Sequence, residues 1–98
     1  MNQNNFIVYI LFSEKLNRYY IGSTDDVCIR MEEHNNQLNK KSFTYRGIPW
    51  ILVFLINNLK SKQAFEIEKH IKAMKSKKYI ANLIQYQNLK KQLIDRYS

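Results

Sequence analysis

Two β-prone runs near the start of the chain limit its fold more than anything else in it: Phe6-Ile-Val-Tyr-Ile-Leu-Phe12 and Arg18-Tyr-Tyr-Ile-Gly22, separated by the polar stretch Ser13-Glu-Lys-Leu-Asn17. β-Branched and aromatic residues fit the pleated surface of a strand, and two such runs around a short polar segment predict an antiparallel hairpin. A four-residue loop at 13–16 pairs Phe12 with Asn17, Leu11 with Arg18, Ile10 with Tyr19 and Tyr9 with Tyr20. Two tyrosines then stand side by side on one face, an arrangement that a one-residue slip would destroy.

Downstream the pattern turns helical. Ser23-Thr-Asp-Asp26 supplies a capping side chain and first-turn carboxylates, and Val27, Met31 and Leu38 follow at helical spacing, predicting a helix over 25–37. Arg30 and His34, four apart, share a face of it. A basic loop with two interleaved aromatics runs from Asn39 to Gly47, and Pro49 is tolerable only at the start of a strand over 50–56. Continuous hydrophobicity in that strand predicts burial on both faces, hence a central place in the sheet. Ser61 is expected to cap a helix whose Ala64, Ile67, Ile71 and Met74 form an apolar stripe. Ile80, Leu83 and Ile84 start another, and Tyr86, Leu89, Leu93 and Tyr97 carry the stripe to the end, as one long helix or as two broken near Gln85. The chain of 98 residues reads as one α+β domain over 1–84 with a helical extension, 85–98, packed on it.

The apolar content, 45%, is enough for a core, and only 2 Gly and 1 Pro leave little material for long loops. Sixteen Lys and Arg against 8 Asp and Glu give a net charge of +8, a field that draws polyanions. Residues 60–98 hold ten of those cations and only Glu66, Glu68 and Asp95 among the acids. Charge and aromatic content together favour a nucleic-acid partner over an anionic membrane or an acidic protein. The longest apolar run, Trp50 to Ile56, is seven residues, against the ~20 that a membrane span needs. Cys28 has no partner for an internal disulfide and the first residues lack the basic start of a signal peptide, so a cytoplasmic location is expected.

No Cys/His cluster has metal-ligand spacing, no glycine-rich loop cradles phosphate, and nucleophile triads are absent. Tyrosines on a hairpin, an Arg/His pair on a helix and carboxylates on a basic helix remain. That set suits phosphodiester hydrolysis: a carboxylate holds a divalent cation against phosphate, Arg stabilises developing negative charge, and Tyr or His moves protons. Each residue also has a plainer reading. Strand tyrosines fill cores, Arg30 can pair with Asp26 or Glu33, His34 can be a solvated surface residue, and glutamates among lysines form weak surface pairs. Glu68 differs, because it borders the buried stripe, where a carboxylate is costly unless paired or metal-bound.

The order of these residues resembles the GIY-YIG nuclease domain, close to small members similar to the N-terminal incision domain of the bacterial excision-repair nuclease. Val8-Tyr9-Ile10 is followed eleven positions on by Tyr20-Ile21-Gly22, then Arg30-x-x-x-His34, Pro49-Trp50, Ser61-x-x-Ala64-x-x-x-Glu68-x-x-Ile71-Lys72 and Lys75-Ser-Lys-Lys-Tyr-Ile80. The first tripeptide is Val-Tyr-Ile rather than Gly-Ile-Tyr, Ser23 stands where the excision-repair relatives carry Lys, and Asn82 loosely matches a late Asn of the family. The resemblance implies a central three-stranded antiparallel sheet flanked by helices. It implies a metal-dependent DNA endonuclease or nickase serving repair or recombination, with one Mg²⁺ or Mn²⁺ on Glu68. Tyr9 is then the general base, Tyr20 orients water or phosphate, Arg30 stabilises the phosphate, and His34 is a second proton acceptor or phosphate ligand. For Tyr9 to serve at neutral pH, the metal and Arg30 must lower its pKa from ~10, or the rate must climb with pH. Lys40, Lys41, Arg46, Lys72, Lys75, Lys77 and Lys78 are the expected DNA contacts. The alternative is a nucleic-acid-binding module with weak or lost catalysis, suggested by the first tripeptide and Ser23. A monomer is expected, with a homodimer through the last helix as the alternative.

Overall fold

The computed structural model describes residues 5–36 and 43–98. Three strands, β1 (Phe6–Ser13), β2 (Arg18–Thr24) and β3 (Ile51–Leu59), form an antiparallel sheet in the order β2-β1-β3. Four α-helices accompany it: α1 (Val27–His34), α2 (Ser61–Met74), α3 (Lys77–Gln85) and α4 (Gln87–Arg96), with a 3₁₀ turn at Phe43–Gly47. This is the expected α+β class.

The hairpin register is offset from expectation by two residues. Ser13 pairs with Arg18, Leu11 with Tyr20 and Tyr9 with Gly22, so the loop is Glu14–Asn17. Local chemistry sets that loop: the Ser13 hydroxyl accepts from the Leu16 amide at 3.1 Å, and Asn17 takes a left-handed φ of 52°, which Asn tolerates better than most residues. Because strand side chains alternate with period two, the offset leaves Tyr9 and Tyr20 on the same face although they are not directly opposed.

The central strand is β1, not β3. On β1, Val8 and Ile10 are buried beneath α2 on one face, while Tyr9 and Leu11 are buried on the other with Trp50, Val27 and Met31. The continuous apolar run of β3 lies at an edge, where Ile51 and Leu52 are exposed. Its register against β1 shifts between Ile10 and Leu11 and again between Phe6 and Val8, each time with one extra residue on β3, and Asn58 near the second shift has a φ of 61°. Bulges of this kind twist an edge strand and blunt it against further pairing. Val53 and Phe54 of the run pack against the core on the α2 side, and Lys90 of α4 lies 5.7 Å over the Phe54 ring.

Helix α1 is shorter than expected. Asp26 caps it by accepting from the Ile29 amide at 3.1 Å, and it ends at Asn35, whose side chain accepts from the Trp50 amide at 2.7 Å and donates to the Trp50 carbonyl at 3.2 Å. Leu38, expected on the same stripe, lies outside the described residues. Helix α2 begins at Ser61 with Lys60 in the cap position, where the Lys60 amide donates to Gln63 Oε1, so Ser61 is the first helical residue rather than the cap. Ser76 caps α3 by accepting from the Tyr79 amide. The C-terminal stripe breaks at Tyr86, which is extended and exposed instead of sharing the apolar line. Leu93 is buried with Ile67, Ile71 and Leu83, and Leu89, Ile94 and Tyr97 pack around them.

Candidate active site at the edge of strand β2

Strand alternation places Tyr9, Tyr20 and His34 together on the α1 face of the sheet. Tyr9 lies directly across from Gly22, and its ring passes over that residue: a Cβ at position 22 would collide with the Tyr9 hydroxyl and come within 2.6 Å of Cζ. Only glycine lets the phenol lie flat towards the free edge of β2. The Tyr9 hydroxyl is 3.1 Å from His34 Nε2. Tyr20 packs edge-on against His34 at 4.5 Å between ring centroids and lies 6.5 Å from the Tyr9 ring. His34 is the last residue of α1 and is held by its neighbour, since Asn35 ties the helix end to Trp50, whose ring also packs against Tyr20 at 6.1 Å.

Burial, reinforced by Tyr20, pushes the Tyr9 phenol up to about 12 against a downward pull from Arg30. The lowering asked of Arg30 is therefore outweighed by desolvation. Burial first and Arg30 second hold His34 below its ordinary value of 6.5. His34 is neutral at pH 7 and buried, not the solvated residue of its plainer reading. Its Nε2 can accept the Tyr9 proton in the tautomer that carries hydrogen on Nδ1.

Arg30 is exposed and pairs with Glu33 at 3.2 Å. Both side chains are about half exposed, so the pair holds little energy and leaves the guanidinium exchangeable. Its charge is felt at both Tyr9 and His34.

Glu68 approaches from the opposite face. Ser23 follows Gly22 on β2 and so points towards α2, where its hydroxyl donates to Glu68 Oε1 at 2.5 Å. Lys72, one turn along α2, donates to Oε2 at 2.6 Å. The carboxylate is largely buried, its side chain only 17% exposed, and both oxygens are engaged. Its field reaches Tyr9. The candidate residues thus straddle the outer edge of β2, with tyrosines and histidine on one face and the carboxylate on the other.

The donor set suits a hard, oxygen-loving ion. Among the described residues no three His, Cys, Asp or Glu side chains gather as a metal-binding group, and Glu68 stands as a single carboxylate. Mg²⁺ and ions like it are commonly held by one or two carboxylates, with waters and substrate phosphates completing the shell. One carboxylate argues against a symmetric two-metal clamp.

Of the expected DNA contacts, Lys72, Lys75 and Lys77 line a cavity of about 400 Å³ beside β2. Lys78 is exposed on α3, Arg46 is exposed on the 3₁₀ turn, and Lys40 and Lys41 lie outside the described residues. Asn82 is half-buried on α3, where its carbonyl accepts from the Tyr86 amide. A larger cavity, about 540 Å³, lies between the start of α2 and the end of α4 and includes none of the candidate catalytic residues. Sequence reasoning missed the hold of Ser23 and Lys72 on Glu68 and the positioning role of Asn35. The four-residue spacing of Glu68 and Lys72 signalled the first contact, whereas the Asn35 bonds span fifteen residues and had no local signal.

A small three-stranded sheet with tyrosines, an Arg/His helix and one carboxylate at a strand edge defines a class of phosphodiester-directed domains. The family described as the GIY-YIG catalytic domain matches residues 5–80, and the chain belongs to it. It is 34% identical over 79 residues to the structure-specific endonuclease subunit SLX1 of Meyerozyma guilliermondii. That match covers 76% of this chain and 27% of the relative, so the chain spans about a quarter of the relative's length. No solved structure matches it.

Proposed function

We propose that this chain is a DNA endonuclease or nickase that hydrolyses one phosphodiester with a single divalent ion, Mg²⁺ or Mn²⁺, on Glu68, acting on structured or branched DNA in repair or recombination. The contact between the Tyr9 hydroxyl and His34 Nε2 across Gly22 carries the reading. A phenol at about 12 offers little phenolate at neutral pH, so Tyr9 acts as a relay. As the water oxygen bonds to phosphorus, the bond from phosphorus to the leaving sugar oxygen breaks and that oxygen takes a proton from solvent, while the water proton passes to the Tyr9 oxygen and the Tyr9 proton passes to His34 Nε2. His34 becomes imidazolium while the phosphoryl group gains negative charge, and Arg30 stabilises that charge. Tyr20, packed on His34, keeps the imidazole oriented and offers its hydroxyl to water or phosphate. When bound, the ion would supply Lewis-acid polarisation of the phosphate and would offset charge on the leaving oxygen. Glu68 would hold it, with Ser23 fixing the carboxylate. Branched DNA is favoured by the likeness to a structure-specific endonuclease subunit.

The deciding experiment is nicking of supercoiled plasmid and of flapped, nicked and branched oligonucleotides with and without Mg²⁺, for the wild type and Glu68→Ala. Metal-dependent cutting by the wild type alone supports the reading. Equal cutting by both proteins would mean contamination or a wrong site. Salt-sensitive binding with no turnover in Mg²⁺ or Mn²⁺ would favour a nucleic-acid-binding module, the reading that the full engagement of Glu68 by Ser23 and Lys72 also allows.

A further inference from the structure

Among the described residues no strand lies beside the outer edge of β2, and on its α2 face this strand forms one wall of the 400 Å³ cavity. The opposite wall is the end of α2 and the start of α3. Arg18, Lys72, Lys75 and Lys77 line this groove, and no acid does. Tyr19 and Ile21, with residues of the helices, give it an apolar floor. Of these four cations only Lys72 has a carboxylate counter-charge among the described contacts, Glu68 at 2.6 Å, so Arg18, Lys75 and Lys77 leave net positive charge in the groove. Lys77 donates to the Asn17 carbonyl at 2.6 Å across from the hairpin loop. Lys75 occupies the left-handed cap of α2, which fixes where its side chain leaves the backbone. Such a site gains free energy from a polyanion, which replaces repulsion among its cations with attraction and releases condensed counterions.

The groove is continuous with the candidate active site. Lys72 lines it and also touches Glu68. From Ser23, beside Glu68, to Arg18 is five residues of strand, or about 16 Å at the usual rise. Successive phosphates of one strand lie roughly 7 Å apart through space, about twice the rise per nucleotide along the helix axis, so this length spans about three of them. The alignment is one-sided: the groove leaves the carboxylate towards the hairpin loop.

We propose that this groove is a binding site for the DNA backbone on one side of the scissile bond, taking a run of about three phosphodiesters with Arg18, Lys75 and Lys77 as its fixed cations and Lys72 at its junction with Glu68. The inference rests on the nuclease reading and adds to it a direction, a ligand length and a residue, Arg18, that is not among the DNA contacts expected from the sequence. Binding in the groove anchors one arm of the DNA, so the cut falls at a set distance from that arm.

The test measures fluorescence anisotropy of a labelled branched duplex in EDTA, where no cutting occurs, from 50 to 200 mM salt. Full-length wild type is compared with Arg18→Ala/Lys75→Ala, which spares the Lys77 to Asn17 contact, and with Lys62→Ala/Lys91→Ala, which removes the same charge elsewhere. The groove variant should bind at least tenfold more weakly at 100 mM salt and lose about 1.5–2 from the magnitude of the salt slope. The control variant should lose less than threefold. Neutral methylphosphonate linkages placed on one side of the cut should weaken the wild type about tenfold and leave the groove variant nearly unchanged. Equal losses in the two variants, or the same methylphosphonate effect in both wild type and groove variant, would overturn the groove. Wild type that binds no DNA at all would sink the nuclease reading and remove the groove's ligand with it. Superimposable circular dichroism melts guard against loss of fold, and Arg18→Gln alone, which keeps most of the side chain's packing, should give about half of the slope change.

Discussion

Tyr9 and His34 fix the expected pH dependence between them. His34 is depressed below 6.5 by burial and by Arg30, and only its neutral form can take the Tyr9 proton. Cleavage should therefore rise with pH through a midpoint below 6.5 and then stay level across the neutral range. A rate still climbing through pH 9 and 10 would mean that phenolate itself is the reactant and that His34 is not its acceptor. Tyr9→Phe should cost roughly 10²–10⁴ in single-turnover rate with DNA affinity nearly unchanged, and full activity would move the base role to Tyr20 or His34. Glu68 yields a different prediction, because a divalent ion on its carboxylate would compete with the Lys72 ammonium 2.6 Å from Oε2. Lys72→Met should bind Mn²⁺ about tenfold more tightly than wild type in calorimetry without DNA, as expected for loss of a competing charge near a partly buried carboxylate worth about 1.4 kcal/mol. Unchanged affinity would show that the ammonium and the ion do not compete. The shared face of the tyrosines was legible because the register error was two residues, one full period of the strand, and Glu68 because its spacing from Ala64 and Ile71 puts it at the border of the buried stripe. The height of the Tyr9 pKa was not legible, since it depends on burial by residues distant in the chain.

At the scale of elements, an apolar run says that a strand is covered but not what covers it. The residues of β3 read as central because the run is apolar throughout, yet Val53 and Phe54 pack on the core from an edge strand, with Lys90 of α4, more than thirty residues downstream, over the Phe54 ring. The hairpin was legible as a hairpin, while its register was set by a hydroxyl bond and a left-handed Asn that no hydrophobic pattern records. Helix α4 is fastened by Leu93 in the core, by Gln63 donating to the Ile94 carbonyl at 3.3 Å, and by His70 Nδ1 at 2.8 Å from the Tyr97 hydroxyl. Truncation after Gln85 should lower the melting temperature with no change of oligomeric state by light scattering, since these contacts lie within one chain. A halved mass would place the stripe in a dimer instead. His70 adds an acid signature. Burial first and Arg96 second hold it below 6.5, so the unfolded chain binds more protons than the folded one between the folded value and 6.5. Stability should fall as pH drops through that window, and His70→Gln should flatten the His70 share of the fall while the share from His34 remains. Melting temperatures from pH 7.5 to 5 that are parallel in wild type and His70→Gln would remove His70 from the account.

Across the whole molecule, charge and chemistry are arranged about one strand edge. Net charge of +8 alone predicts only an attraction to polyanions, and it gives that attraction no direction. The structure gives it one. Arg30 approaches the β2 edge from the α1 face and Lys72 from the α2 face, and the cations of the groove continue from Lys72. Lys62, Lys69, Lys91 and Arg96 are exposed elsewhere on the C-terminal half, where they raise the net charge without lining the groove. DNA affinity should therefore behave as a limited set of phosphate contacts rather than as a response to all sixteen basic residues. If about four to six phosphates are neutralised, log K against log[salt] should fall with a slope on the order of −4 to −5 on duplex DNA. A slope twice as steep would mean that the cations outside the groove and site contribute as much as those within, and a slope near zero would remove the electrostatic footprint altogether. The same measurement on single-stranded DNA should give a shallower slope for the same number of contacts, about 0.7 per phosphate instead of 0.9. A ratio of slopes well outside that proportion would show that the two forms engage different numbers of cations, and hence that the groove distinguishes a duplex arm from a free strand.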